Sequence, residues 1–91
     1  MTLTEKMIGE MNGFFRVLGD PELVVPKQGE WTSELGLIKI IREEYTQRLL
    51  SKFPQYRSLR PETIPDMFLM ALNKQEAELR LEAPAASPKS V

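Results

Sequence analysis

Residues 3–18 repeat apolar side chains at the period of an α-helix, so that seven of them fall in one arc of its surface. The seven are Leu3, Met7, Ile8, Met11, Phe14, Phe15 and Leu18. Thr2 and Glu5 have the spacing of a capping box, and Gly19 follows the last apolar position, where helices commonly end. The pattern predicts an amphipathic helix over residues 3–18.

Two further segments have the length and the boundary signals of helices. We expect one over residues 33–53, which Thr32 or Ser33 can cap and Pro54 ends. We expect another over residues 64–82, because Thr63 is followed three residues later by Asp66, the spacing of an N-terminal signal. The first half of this third segment is apolar all round and its second half carries charges, so it should pass from the core to the surface.

The rest of the chain connects these helices. Residues 20–22 have the form of a helix start with a first-turn proline, which predicts one short helical turn, with an extended stretch over residues 23–25 as the alternative. Residues 83–91 hold small side chains and two prolines and should form a disordered tail. A chain of 91 residues has room for one hydrophobic core, so we expect a single domain over residues 1–82. The predicted fold is all-α, a small bundle of three helices, or of four with the short turn.

More apolar residues are present than one small core needs. The expected core contains Met7, Met11, Phe14, Leu18, Leu37, Ile41, Tyr45, Phe68, Leu72 and Leu79. A further set cannot all face a single interior shared by three short helices: Ile40, Leu50, Leu69, Met70 and Leu81. Methionine and aliphatic side chains form an adaptable apolar surface, so we interpret this set as a dimer or partner interface. The second helix and the apolar half of the third would supply it.

The chain contains no histidine and no cysteine. This removes the usual general base at neutral pH, the thiol nucleophile, disulfides and the common zinc sites. No acidic run has the ligand spacing of a calcium loop. We therefore expect no catalytic residue, no metal and no cofactor. The lack of cysteine and of any long apolar run favours a cytoplasmic protein with no membrane partner.

Charge is unevenly distributed, although the formal net charge is −1. Residues 31–60 hold six Lys/Arg against three Asp/Glu, whereas each flank holds three against five. A cluster spans the end of the second helix and the loop beyond it: Arg48, Lys52, Tyr56, Arg57 and Arg60. Such a cluster can bind phosphates of nucleic acid or carboxylates of a partner. Cations at a helix C-terminus also favour the helix macrodipole, and the acidic flanks can neutralise them.

These observations predict a non-catalytic protein–protein interaction module, such as a small adaptor, regulator or assembly factor. We expect it to self-associate as a homo-oligomer, because so small a core gains stability from a partner. A nucleic-acid-binding regulator that uses the basic cluster is the alternative. A small all-α enzyme with an Arg/Lys anion clamp is a remote one, since the first helix offers few cations.

Overall fold

The computed structural model describes residues 2–86 of the chain, with the side chains of residues 2–27 and 29–82. Three α-helices form the fold: α1 is Leu3–Leu18, α2 is Glu34–Lys52 and α3 is Met67–Ala86. Short 3-10 turns occupy Gln28–Glu30, Pro54–Ser58 and Pro61–Thr63. Residues 2–86 contain no strand, and the predicted all-α fold with three helices is confirmed.

The ends of α1 are those that the sequence predicts. The backbone N–H of Thr2 donates to the Glu5 carboxylate at 2.8 Å, and the Thr2 hydroxyl accepts from the Glu5 N–H at 3.1 Å. This capping box holds the pKa of Glu5 below its usual range, mainly through the bond from the Thr2 backbone. Gly19 ends the helix in the left-handed conformation, at φ 78°, and its N–H bonds back to the carbonyl of Arg16.

The helix α3 begins later than predicted because a different residue caps it. Asp66 Oδ1 accepts from the N–H of Leu69 at 2.9 Å, which is the geometry of an N-cap. Thr63 belongs instead to the preceding 3-10 turn, so its assignment as the cap is wrong. At the other end α3 continues to Ala86, past its predicted limit. The remainder of the expected disordered tail, residues 87–91, lies outside the described residues.

Helix α2 is central, and the other two helices pack on it. Thr4 near the start of α1 donates to Glu34 at the start of α2, and Phe15 stacks on Tyr45 further along both helices. The helices α1 and α2 therefore run in the same sense. Gln75, in the middle of α3, also reaches Glu34, whereas the N-cap of α3 accepts from Tyr45. It follows that α3 runs antiparallel to both α1 and α2.

The core lies along the inner faces of the three helices. Its buried apolar residues are Ile8, Met11, Phe15, Leu23, Leu37, Ile38, Ile41, Tyr45, Leu49, Ile64, Leu69 and Leu72. Of the other predicted core residues, Met7, Phe68 and Leu79 are partly buried against this cluster. Phe14 and Leu18 are half exposed, so their assignment to the core is wrong. The apolar arc of α1 is wider than the surface that α2 covers, and these two residues lie at its uncovered edge.

Residues 20–27 return along α2 without helical structure, so the short helical turn predicted after α1 is absent. The Asn12 carboxamide accepts from the N–H of Leu23 at 2.8 Å and donates to its carbonyl at 3.4 Å. The N–H of Val24 donates to Glu44 on α2 at 3.2 Å. These backbone groups bond sideways to neighbouring helices and are not available for bonds within a helical turn.

Replacing Asn12 with alanine should lower the free energy of unfolding by about 2 kcal/mol, because it leaves the buried N–H of Leu23 without an acceptor. Urea denaturation measures the change. Asn73→Ala is the matched control, since no hydrogen bond of the Asn73 side chain is present among the described residues, and it should cost less than about 0.5 kcal/mol. Equal losses for the two variants would contradict a special role for Asn12.

Candidate functional site

An apolar groove runs between α1 and the first turns of α3. It forms because the two helices pack on α2 while their own backbones scarcely approach each other. Its volume is about 360 Å³, and it is lined by Met7, Glu10, Met11, Phe14, Met67, Phe68 and Ala71. Glu10 is the one charged residue of this lining, so the groove offers an apolar surface to any occupant.

The floor of the groove is rigid, and its walls are adaptable. Phe68 meets Phe14 edge to face at 5.7 Å between ring centroids, and meets Phe15 in the same way at 5.6 Å. Such packing fixes the rings. Met7 is half-buried, and Met67 is 77% exposed. Unbranched methionine side chains adjust to the shape of a bound surface, so this groove suits apolar side chains of varied size.

A second cavity of about 190 Å³ adjoins the groove near Phe14 and Phe68. Its polar groups already have partners within the fold. The Tyr45 hydroxyl donates to Asp66 Oδ1 at 2.7 Å. Burial, together with the bond and the charge of Asp66, raises the pKa of Tyr45 well above its usual range. The phenol therefore stays protonated at neutral pH and is not a general base there.

Two cations of the predicted basic cluster contact α1 and the segment that follows it. The guanidinium of Arg48 lies 4.6 Å from the centre of the Phe15 ring and donates to the carbonyl of Pro21. The ammonium of Lys52 lies 3.4 Å from the Asp20 carboxylate. Both side chains thus fasten the start of the returning segment to α2. The pair of Lys52 with Asp20 is the neutralisation by an acidic flank that the sequence left open, whereas Arg48 has a carbonyl and a ring as its partners.

The other members of the basic cluster lie beyond α2. Arg57 and Arg60 are exposed, in and beside the 3-10 turns that lead to α3. Tyr56 is half-buried, with its ring 5.4 Å from that of Phe53. The five predicted residues therefore divide into two cations with partners in the segment after α1, two exposed cations without such a partner and one packed tyrosine, and they do not form a single basic face.

The five predicted interface residues also separate. Leu69 is 0% exposed and belongs to the core, so its assignment to an interface is wrong. Leu50 is half-buried against the core, and Ile40 is exposed on α2. Met70 and Leu81 are 59% and 79% exposed. Because eleven positions make about three helical turns, these two lie on the same side of α3. Of the five predicted interface residues, only Met70 and Leu81 lie on one surface.

The burial of Glu76 and the half-buried position of Glu34 were not foreseen. Glu34 accepts the bonds from α1 and α3 described above. Glu76 lies between Arg42 and Arg80, with one carboxylate oxygen 2.7 Å from the Arg80 guanidinium. Burial raises the pKa of Glu76, but the bond from Arg80 and the charges of both arginines outweigh it and leave this pKa below the usual range. Both carboxylates are structural, and neither faces the groove.

Residues 2–86 contain no group of three or more acidic, histidine or cysteine side chains arranged to hold a metal ion. Within the same part of the chain, no helix is both long and apolar enough to cross a membrane. Comparison with protein-family models, with curated protein sequences and with solved structures gives no match. The groove and the exposed faces of the helices are therefore the features of this molecule that bear on its function.

The groove residues Met67 and Ala71 were not predicted as a site, and Met7, Met11, Phe14 and Phe68 were expected only in the core. One signal for the groove was present in the sequence. Seven apolar residues in the arc of α1 are more than one neighbouring helix covers, so part of that arc had to remain accessible.

Proposed function

We propose that this protein is a non-catalytic protein-interaction module that binds an amphipathic helix of a partner protein in the groove between α1 and α3. A small adaptor, regulator or assembly factor in the cytoplasm would work in this way. The observation that carries the proposal is an apolar, methionine-lined groove that the fold itself leaves uncovered. Exposed apolar surfaces of this kind are typical of interaction sites.

The dimensions of the groove suit a short helical segment. From Met7 to Phe14 the wall formed by α1 extends about 10 Å, which is two turns of a helix. A partner helix that presents apolar side chains at i, i+3 or i+4, and i+7 would place them along this length. The aromatic floor gives a flat contact for such side chains, and Met7 and Met67 close around them.

The nucleic-acid alternative has less support. Arg48 donates to the Pro21 carbonyl and Lys52, although exposed, is paired with Asp20, which leaves Arg57 and Arg60 as the cations of the cluster with no partner among the described residues. Two cations neutralise few phosphates and give weak binding at physiological salt. Titration of labelled DNA and RNA at two salt concentrations tests this alternative, which requires salt-dependent binding that Arg57→Ala weakens.

The proposed groove can be tested with helical peptides selected from a display library, followed by methyl NMR of the methionines. A bound peptide should shift the signals of Met7, Met11 and Met67, which line the groove, and leave the signal of Met70 unchanged. Met70 is an internal control, because it is not part of the lining. Equal shifts at all four methionines, or no peptide that shifts the three groove signals, would contradict the proposal.

Ala71→Arg should weaken peptide binding at least about tenfold, because an arginine at this position fills the groove with a charged side chain. Ala71 is exposed and arginine is a good helix former, so the variant should fold. Ala77→Arg is the matched control: it makes the same change at another exposed alanine of α3, outside the groove lining, and should leave peptide binding unchanged. Isothermal titration with the selected peptide measures both variants.

A further inference from the structure

The outer face of α3 carries an uncovered apolar stripe. Its members are Met67, Met70, Lys74, Ala77 and Leu81, and every one is exposed. They repeat at i, i+3, i+7, i+10 and i+14, which is the a and d spacing of a coiled-coil seam. The stripe is about 21 Å long, or four helical turns. It points away from the core because Leu69, Leu72 and Glu76 occupy the inner side of the same helix.

We propose that this outer face of α3 pairs with the outer face of α3 in a second copy of the chain, with the two helices antiparallel. The proposal extends the interaction function of the groove to self-association, and its surface shares only Met67 with the groove lining. Apart from Lys74, the face is apolar, and pairing with its own copy would remove Met70 and Leu81 from water on both sides of the contact.

The position of Lys74 decides the direction of the helices. A parallel pairing in register places Lys74 against Lys74 of the second copy, and like charges at one level of a seam repel. An antiparallel pairing can instead place Lys74 opposite Ala77 of the second copy, whose small side chain leaves room for the lysine stem. The same register places Met70 opposite Leu81, so the large apolar residues meet each other.

Charge complementarity favours a second copy as the occupant. Glu78 is exposed one residue beyond Ala77, so the antiparallel register brings it within reach of Lys74 of the second copy. The two-fold symmetry makes this contact twice. Within the described residues, neither Lys74 nor Glu78 is engaged in an ion pair, so both are free to make it. Because this face of α3 carries Lys74 and Glu78, which have opposite charges, it is complementary to the same face of a second copy.

Charge exchange at this pair gives a direct test by analytical ultracentrifugation. Lys74→Glu and Glu78→Lys should each weaken the dimer roughly tenfold, because each replaces two attractive contacts with two repulsive ones. Mixing the two single variants should restore association, since the heterodimer again pairs opposite charges at both contacts. The double variant Lys74→Glu/Glu78→Lys should self-associate like the original chain. Circular dichroism measures whether each variant keeps its helical content, which should be unchanged because both residues are exposed.

The inference is wrong if the unaltered chain stays monomeric up to about 1 mM, where mass action favours even weak dimers. It is also wrong if the mixture associates no better than either single variant. Ala77→Arg adds a second check, because an arginine opposite Lys74 of the second copy should abolish the dimer. If the unaltered chain binds the peptide in the groove but forms no dimer, the self-association alone is overturned. If it forms the dimer but binds no peptide, the groove function alone is overturned.

Discussion

Leu69→Ala should lower the free energy of unfolding by about 3 kcal/mol, whereas Met70→Ala should change it by less than about 0.5 kcal/mol. The two residues are neighbours in α3, but Leu69 is 0% exposed and Met70 is 59% exposed. Removing the Leu69 side chain loses its transfer free energy and leaves a cavity between the helices. Removing Met70 changes a surface that water already reaches. Urea denaturation at a concentration where the chain is monomeric measures both changes.

The pair also separates the two interpretations of α3. If both residues contributed to an interface and neither to the core, neither substitution would change the stability of the monomer. Because Leu69 lies in the core and Met70 on the outer face, Met70→Ala should instead act on association and Leu69→Ala on folding. Similar losses of monomer stability for both variants would contradict the placement of the inner and outer faces of α3.

The ends of α1 and α2 could be predicted from sequence because the signals that set them are local. Thr2, Gly19 and Ser33 act within one helical turn of their own position, and the structure shows the capping bonds they imply. The start of α3 could not be predicted in the same way, because Thr63 and Asp66 are both good N-cap residues and the sequence alone does not distinguish them. A contact distant in the sequence favours Asp66, because its carboxylate also accepts the hydroxyl of Tyr45.

The direction in which apolar residues face was less predictable. The first half of α3 is apolar all round, so its periodicity does not distinguish Leu69 from Met70. In α1, the arc contains both Phe14 and Phe15, and only the angle at which α1 lies on α2 buries Phe15 and leaves Phe14 half exposed. The groove depends on the gap between two helices, which no single segment of the sequence specifies.

Buried and half-buried carboxylates were the largest omission, because a sequence pattern assigns charged side chains to the surface. Glu34 accepts from Thr4, thirty residues away, and from Gln75, forty-one residues away. Glu76 is matched by Arg42 of another helix. Such residues become suitable for the interior only when the fold brings their partners to them.

Glu76 should contribute about 2 kcal/mol to stability at neutral pH, measured as the loss caused by Glu76→Gln. Its side chain is 8% exposed, and it joins Arg42 of α2 to Arg80 one turn further along α3. Replacing the carboxylate with a neutral amide weakens both ion pairs and leaves Arg42, which is largely buried, without its counter-charge. Arg80 is the more exposed partner, so the pair with Arg42 should account for most of the loss.

The pH dependence of this loss follows from the lowered pKa of Glu76. Because the carboxyl binds a proton less readily in the folded chain than in the unfolded chain, its stabilisation is complete above the ordinary glutamate value of 4.5 and is lost as the pH falls through the lowered value. Urea midpoints of Glu76→Gln and the original chain should therefore converge in acid. Glu43→Ala, on the exposed side of α2, should run parallel to the original chain at every pH. A difference at Glu76 that is the same at pH 7 and in acid would show that its contribution comes from packing and not from its charge.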